Sequence, residues 1–517
     1  MISITNLGLA FDAVAQRHGE RCALFYPSDG ERVTYRRLNE LAAHLAAVFH
    51  AKGLRKGQVV ALFHDKSPAA YAAMLACLRL GLIYTNLDPA SPWERLRKIL
   101  DTCRPALTVS AFAEFPFSAE FAAGDCGATL DLRHALTSPT PRVALPDARA
   151  TDGAAPAYIM FTSGSTGVPK GAVMSHANLL WFLAWARDRF AITPDDVISN
   201  VNPMYFDNSV FDFYSAILSG ATLLPINAEQ VRDTRLLVRL MNQGGCTLWF
   251  SVPSLLVYLL TTRALSGTDL PALRAIVFGG EGFPKTRLRQ LFDLFGHRAA
   301  LENVYGPTEC TCICSAYTIG TDDFKDMHSL APLGALAQNF DFEILAGAED
   351  DPDCGELFLR GPQVGLGYYN DPQRRAAAFV QNPRHALYAD IGYRTGDIVR
   401  RDATGLFHFK GRADFQIKHM GYRIELEEIE AALGSLTGVM ECAVVYRKPG
   451  DAAGQIDAFA VLDTPQTAQQ LQSQVGAIVP PYMVPRHIAI LAELPKNANG
   501  KIDRLALQTL AIPDQAQ

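Results

Sequence analysis

Apolar positions along this chain switch repeatedly between two periods. After Val33-Thr34-Tyr35, the residues Leu38, Leu41, Leu45 and Val48 recur at spacings of three and four, the period of one helix face. Val59-Val60-Ala61-Leu62-Phe63 is instead an unbroken apolar run of strand length, followed by an alanine- and leucine-rich helix up to Leu80 and by Ile83-Tyr84-Thr85-Asn86-Leu87-Asp88-Pro89. Tyr158-Ile159-Met160-Phe161 reads as a second buried strand. Ser175 then caps a helix through Leu179, Phe182 and Leu183. Such alternation predicts a layered α/β architecture with covered sheets. After Arg412 the character changes to Phe415-Gln416-Ile417-Lys418, a helix with Leu426, Ile429 and Leu433 on one face, β-type runs at Cys442 to Tyr446 and Ala458 to Leu462, and a helix from 466 to 478. That is a compact α+β unit of about one hundred residues. The expected division is a large domain, 1–412, and a smaller one, 413–517. Residues 138 to 156, rich in proline, alanine and polar side chains, read as a surface connection.

Composition narrows the partners. With 517 residues, 49% of them hydrophobic, the chain has ample core for two domains. Lys+Arg 47 against Asp+Glu 53 gives a net charge of -6 without a basic block, which argues against nucleic acid and against an anionic membrane surface. There is no apolar run of about 18 residues and no basic-then-apolar leader, so a cytoplasmic protein acting on small molecules or another protein is expected. The ten cysteines are scattered except for Cys310, Cys312 and Cys314. Alternation would put those three on one face of an extended segment, as reduced, buried thiols rather than a zinc site.

One stretch concentrates chemistry. Phe161-Thr162-Ser163-Gly164-Ser165-Thr166-Gly167-Val168-Pro169-Lys170-Gly171 crowds hydroxyls, glycines and a lysine behind an apolar run. Read as hanging between strand and helix, it is a phosphate loop: glycines let backbone N–H groups turn inward, hydroxyls add donors, and Lys170 supplies positive charge. The spacing is not that of the Walker pattern, which disfavours a kinase-like or GTPase-like loop.

Asp207 is a carboxylate inside the apolar and aromatic segment Asn202-Pro203-Met204-Tyr205-Phe206-Asp207-Asn208-Ser209-Val210-Phe211-Asp212. It is either the N-cap of a helix carrying Phe211, Tyr214, Ile217 and Leu218, or the counter-charge of a ligand's ammonium group. Two glycine turns follow, Ile276-Val277-Phe278-Gly279-Gly280-Glu281 and Asn303-Val304-Tyr305-Gly306-Pro307-Thr308-Glu309. Ring and amide of the second suit an adenine, and Glu309 suits Mg²⁺, which prefers one or two carboxylates with phosphate and water. In Tyr393-Arg394-Thr395-Gly396-Asp397, Asp397 is either a turn residue or an acceptor for two ribose hydroxyls. Lys501 follows Asn499-Gly500, so a tight turn would present it; composition alone makes it a solvated lysine.

In this order, Thr162 to Gly171, Phe206 to Ser209, Asn303 to Glu309, Gly355-Glu356-Leu357, Tyr393 to Asp397, Gly411 to Glu430, Pro480 to Pro485 and Asn499 to Arg504 resemble the core motifs of the adenylate-forming superfamily over nearly the full length. Within it, the chain is similar to amino-acid adenylation domains of nonribosomal peptide synthesis. Asp414-Phe415-Gln416-Ile417-Lys418 and Gly421 to Glu428 also resemble D-alanine:carrier-protein ligases. The resemblance implies a ligase of two half-reactions: ATP and a carboxylate give an acyl adenylate and pyrophosphate, then a phosphopantetheine thiol takes the acyl group. It implies that Thr162, Ser163, Gly164, Ser165, Thr166, Gly167 and Lys170 hold phosphates, and that Gly280, Glu281, Asn303, Tyr305 and Gly306 form the adenine side. Thr308 would meet the α-phosphate, Glu309 the magnesium, and Asp397 and Arg412 the ribose. Lys501 would bridge the substrate carboxylate and α-phosphate, and Asp414 would be the hinge of a rotating small domain.

By the same resemblance Asp207 pairs with an amino acid's ammonium, and the rest of the pocket is Asn208, Phe211, Ser251, Val277, Gly279, Val304, Cys312 and Ile313. Gly279 and Cys312 would leave room, pointing to a small or medium neutral amino acid. The chain departs from the pattern in two places: Gly279 stands where D-alanine ligases have cysteine, and His419-Met420 replaces the more usual basic pair. Neither a Leu-Gly-Gly-x-Ser arm site nor a His-His condensation motif is present, so a separate, phosphopantetheinylated carrier protein is the expected partner. The rival readings are a D-alanine ligase, an acyl-CoA ligase for a non-amino acid, against which Asp207 argues, and a non-catalytic nucleotide-binding protein, against which the retention of Lys170, Glu309 and Lys501 argues.

Overall fold

The computed structural model describes residues 5–123, 127–346, 351–447, 454–496 and 502–510. Its contacts divide the chain into two compact units. The first comprises residues 1–88, 103–161 and 171–413; the second joins 89–102 and 162–170 to 414–517.

In the first unit the helical periods close as expected. Tyr35–Ala51 is a helix that buries Leu38, Leu45 and Val48, capped by the Thr34 side chain. Pro68–Leu80 is a second, begun by Ser67 as N-cap with proline next and ended by Gly81 at φ 66. Most strands between such helices are parallel. Val59–Phe63 pairs in parallel with Ile83–Leu87 and with Leu107–Ser110, and every residue of the three is buried. Helices cover both faces of such sheets, hence the continuous apolar runs without alternation. These strands lie in a seven-stranded sheet that also holds Pro156–Thr162 and Lys170–Ser175 as neighbours.

A nine-stranded sheet carries the other half of the unit. Its strands Thr222–Pro225, Val197–Asn200, Leu248–Ser251, Ala275–Gly279 and Ala300–Tyr305 run parallel side by side. Their carboxyl ends therefore share one edge, which carries Asn200 to Asp207, Ser251, Gly279 to Glu281 and Tyr305 to Glu309. Ligands of parallel sheets bind at such an edge. A five-stranded antiparallel sheet, including Ile391–Arg401 and Phe407–Arg412, brings Asp397 opposite Arg412.

The second unit has its own core. Leu426–Gly434 is a helix that buries Leu426, Ile429 and Leu433, and Ala468–Gly476 a helix that buries Leu471 and Val475. They pack with Val444, Ala458 and Ile488 from the sheet of Val439–Arg447, Gln455–Leu462 and His487–Ile490.

Two sequence expectations are corrected here. The phosphate loop does not lead into a helix: Lys170–Ser175 is a strand, and the helix begins at His176, with Ser175 and Asn178 forming a reciprocal cap. Ala172-Val173-Met174 is buried and completes the sheet, too short a run to show a period of its own. Nor is the cysteine triplet extended. Thr308–Cys310 is a 3-10 turn, and Thr311 and Cys312 follow at φ 61 and 71, both left-handed. The three thiols are buried and outside any disulfide among the described residues, but a tight reversal holds them rather than a strand.

Candidate active site

Asp207 precedes the helix Asn208–Ile217, yet its side chain makes no capping hydrogen bond. Its Oδ2 instead accepts the Thr308 hydroxyl at 2.6 Å. Asp207 thus occupies the N-cap position without the side-chain hydrogen bond of a cap. Phe211, Val277, Val304, Cys312 and Ile313 lie in one buried cluster that also contains Tyr158. Burial pushes the Cys312 thiol well above its usual range, and the charge of Asp207 adds to that. The Tyr158 phenol is raised for the same first reason, with Tyr84, Cys312 and Asp207 contributing. The Asp207 carboxylate is therefore near enough to both groups to act on them electrostatically. Ser251 is fully buried, its hydroxyl donating to Val252 O at 3.3 Å; Asn208 is half-buried.

Gly279 does not provide room. A Cβ there would stand 2.3 Å from the Val304 carbonyl oxygen and 2.8 Å from Val304 Cγ2, because the strands Ala275–Gly279 and Ala300–Tyr305 approach closely at this pair. Gly306 is constrained likewise: a Cβ would meet Cys312 O at 2.2 Å, and this approach is what the left-handed Thr311 and Cys312 make possible.

Glu309 is fully buried, its Oε1 accepting the Tyr368 hydroxyl at 2.7 Å. The reversal around it is pinned by Gly365 N–H to Glu309 O at 2.8 Å and by Thr311 Oγ1 to Gln363 O at 2.7 Å. Among the described residues no group of three or more acidic, histidine or cysteine side chains could hold a metal by itself. A lone buried carboxylate fits a cation that takes its remaining oxygens from a bound phosphate, as Mg²⁺ does.

Asp397 joins two predicted nucleotide residues. Its Oδ2 accepts the Tyr305 hydroxyl at 2.6 Å, and its Oδ1 pairs with Arg412 Nη1 at 2.6 Å. Burial first, then the Asp397 charge, raises the Tyr305 phenol well above its usual value. Asn303 donates its amide to Pro332 O at 2.7 Å. Glu281 accepts Ser254 N–H at 2.7 Å, in the first turn of the helix Pro253–Thr261, and Gly280 is left-handed at φ 93.

Within the second unit, carboxylates engage the phosphate loop. Lys170 Nζ pairs with Glu425 Oε1 at 2.8 Å, and Gly164 N–H donates to Glu428 Oε2 at 3.0 Å. Ser163 Oγ donates to Arg423 O at 2.7 Å and accepts Glu425 N–H at 3.1 Å, while Lys98 Nζ donates to Gly167 O at 2.8 Å. Arg95 pairs with Glu428, both side chains nearly buried. Donors that the sequence assigns to phosphate oxygens thus receive carboxylate oxygens of the same charge sign. Asp414 is exposed and accepts Gln416 N–H through its Oδ1 at 3.2 Å. Lys501, the expected catalytic lysine, lies outside the described residues.

Sequence reasoning missed Tyr368, Arg95, Lys98, Glu425 and Glu428. Tyr368 sits in Gly367-Tyr368-Tyr369, an aromatic pair with no chemical signature; Lys98, Glu425 and Glu428 reach the loop from up to 264 residues away, and Arg95 reaches it only through Glu428. No helix of the described residues is long and apolar enough to cross a membrane.

Comparison with known proteins agrees with this geometry. The profile of AMP-binding enzymes matches residues 11–369, and that of the AMP-binding enzyme C-terminal domain matches residues 428–501. A dimodular nonribosomal peptide synthase of Bacillus subtilis is 34% identical over 98% of this chain, which spans only 21% of that protein. An L-proline–[L-prolyl-carrier protein] ligase of Pseudomonas fluorescens is 33% identical over 92% of this chain and 94% of its own. A D-alanine–D-alanyl carrier protein ligase of Lacticaseibacillus rhamnosus is 31% identical over 98% of this chain and 99% of its own. Among solved structures, PA1221, a nonribosomal peptide synthetase protein containing adenylation and peptidyl carrier domains, superposes with a TM-score of 0.83 at 25% identity, covering 97% of this chain and 84% of that one. The chain therefore belongs to the AMP-binding, adenylate-forming enzyme family, whose ligases use ATP to adenylate carboxylates.

Proposed function

We propose that the chain activates the carboxylate of an α-amino acid as an aminoacyl adenylate and passes it to the phosphopantetheine thiol of a carrier protein. The observation that carries this reading is the Thr308 hydroxyl on Asp207 Oδ2 at 2.6 Å, with Asp207 not engaged as a helix cap. A carboxylate beside a buried apolar cluster that includes Val277, Val304 and Ile313 would suit the cationic group of an otherwise apolar ligand. The ammonium of a small or medium neutral amino acid meets that description. The names of the proline and D-alanine ligases are in keeping with it.

In this reading Thr308 spans both substrates, its oxygen able to face the ammonium's carboxylate and the α-phosphate in turn. Thr162 to Gly167 and Lys170 take the phosphates once Glu425 and Glu428 have withdrawn, and Gly280, Glu281, Asn303, Tyr305 and Gly306 flank the base. Asp397, oriented by Tyr305 and Arg412, accepts ribose hydroxyls with its remaining lone pairs. Glu309, oriented by Tyr368, would hold Mg²⁺ together with phosphate oxygens, and that ion would neutralise phosphate charge. Lys501 would offset the charge that develops on the reacting oxygens, a contribution whose loss costs on the order of a hundredfold. Asp414 would be the hinge between the two half-reactions.

The test is pyrophosphate exchange across L- and D-amino acids and a panel of fatty and aryl acids. Exchange with one or a few neutral amino acids, followed by loading of a phosphopantetheinylated carrier, is expected. Exchange with the non-amino acids alone would overturn the proposal.

A further inference from the structure

The loop that carries Asp207 joins the strand Val197–Asn200 to the helix Asn208–Ile217, and a fully buried acid lies beneath it. Asp212, one turn into that helix, is 0% exposed. Its Oδ2 accepts Asn200 Nδ2 and Asn202 Nδ2, each at 3.0 Å. Asn202 Nδ2 also reaches Phe250 O at 3.1 Å, one residue before Ser251 of the pocket. Tyr71 donates its hydroxyl to Asn200 Oδ1 at 2.6 Å, fixing that amide's orientation.

Behind the loop stands a buried lysine. Lys66 is 8% exposed, and its Nζ donates to Asn200 O at 2.6 Å and to Ile226 O at 2.7 Å. Its own backbone is left-handed at φ 64, held by Lys66 N–H to His64 Nδ1 at 2.9 Å and by the Tyr26 hydroxyl to Lys66 O at 2.8 Å. Two buried ionisable groups and two amides therefore converge on the first residues of the loop. A purely packing role would be filled at less cost by apolar side chains, since burying ionisable groups is costly. What such a network supplies is a single geometry.

We propose that Asp212 is the positioning residue of the amino-acid site: through Asn200 and Asn202, and with Lys66 as counter-charge, it fixes the path of residues 201 to 207 and hence the place of the Asp207 carboxylate. This rests on the reading of Asp207 as the ammonium's partner. The network touches neither the phosphate loop nor Asp397, so it acts on one substrate.

Steady-state exchange kinetics of full-length Asp212→Asn, Lys66→Met, the double variant and Asn202→Ala test it, each against wild type with the amino acid that wild type prefers. Asp212→Asn and Lys66→Met are each expected to raise the KM for the amino acid roughly 10- to 100-fold, the range of about 1.4–3 kcal/mol for a broken charge-assisted contact, with the KM for ATP within twofold. The double variant, neutral on both sides, should lose less than the product of the single losses. Asn202→Ala leaves both Asp212 and Lys66 in place and should still raise the amino-acid KM about tenfold, so the inference stands or falls even if Asp212→Asn does not fold. A lower kcat at unchanged amino-acid KM in these variants, or equal rises in both KM values, would mark the network as structural and overturn the inference. Wild type that exchanges only with non-amino acids would overturn the proposed function instead, a separately recognisable outcome.

Discussion

Replacing Glu425 by glutamine should make the enzyme bind ATP more tightly. In the structure the Glu425 carboxylate neutralises Lys170, with only 5% and 11% of the two side chains exposed, and it also accepts the Gln416 amide at 2.7 Å. A triphosphate that uses Lys170 must displace that carboxylate first. Glutamine keeps the shape and an acceptor oxygen for Lys170 but removes the charge, so the competing contact falls by the difference between a charged and a neutral partner. A hydrogen bond to a charged group contributes about 1.5–3 kcal/mol net, against about 1 for a neutral one, so the competition weakens by roughly 0.5–2 kcal/mol. At 1.4 kcal/mol per factor of ten, the Kd for a non-hydrolysable ATP analogue should drop by about 2- to 30-fold. Calorimetric titration of wild type and Glu425→Gln reads this directly, and the same comparison in the Lys170→Ala background should show no gain. An affinity unchanged in Glu425→Gln, or one that weakens, would refute the idea that the two carboxylates and the nucleotide compete for the same donors.

Other expectations follow from the site. Asp207→Asn should raise the KM for the amino acid roughly 30- to 100-fold in exchange kinetics, about 2–3 kcal/mol, below the cost of unpairing a fully buried charge because Asp207 is half-buried. A rate equal to wild type at low amino-acid concentration would contradict its role. Gly279→Cys forces a Cβ against the Val304 backbone at 2.3 Å and should lower unfolding stability by about 1–3 kcal/mol in urea titration, rather than merely narrowing specificity. Burial lowers the His176 imidazole from 6.5 to about 4, with Leu7 N–H donating to its Nδ1 at 3.1 Å. Between those pH values the unfolded chain binds the extra proton, so stability should fall as pH drops from about 6.5 towards 4, by up to about 3 kcal/mol. His176→Gln should flatten that slope in denaturant midpoints measured across the range.

Local chemistry was legible where it was contiguous. The periods at Leu38 and Leu426 mark the helices that pack each unit's core. The strand Lys170–Ser175 escaped because Ala172-Val173-Met174 is too short to show alternation and is buried on both sides. The Cys310 to Cys314 reversal escaped because two consecutive left-handed residues with side chains have no composition signal. The partners of the site escaped for a different reason. Lys66 follows His64-Asp65 and looks like a solvated loop residue, yet it is buried because Asn200 and Ile226, 134 and 160 residues away, supply the carbonyls that replace its water. Glu425 and Glu428 sit in a helix-leading segment whose charges look like an exposed face. Pattern reasoning sees neighbours along the chain, and these groups meet only across the fold.

That the anion-gripping segment bridges two adjacent strands changes where its affinity originates. It leads into a strand and the next helix begins only at His176, so that helix does not start at the segment as it does in loops that run directly into a helix. Grip must then come from the segment's own amides, hydroxyls and Lys170. In the proposed reading, a segment tethered between two strands would release pyrophosphate by flexing without dragging a helix through the core, and its hold should weaken steeply with added salt.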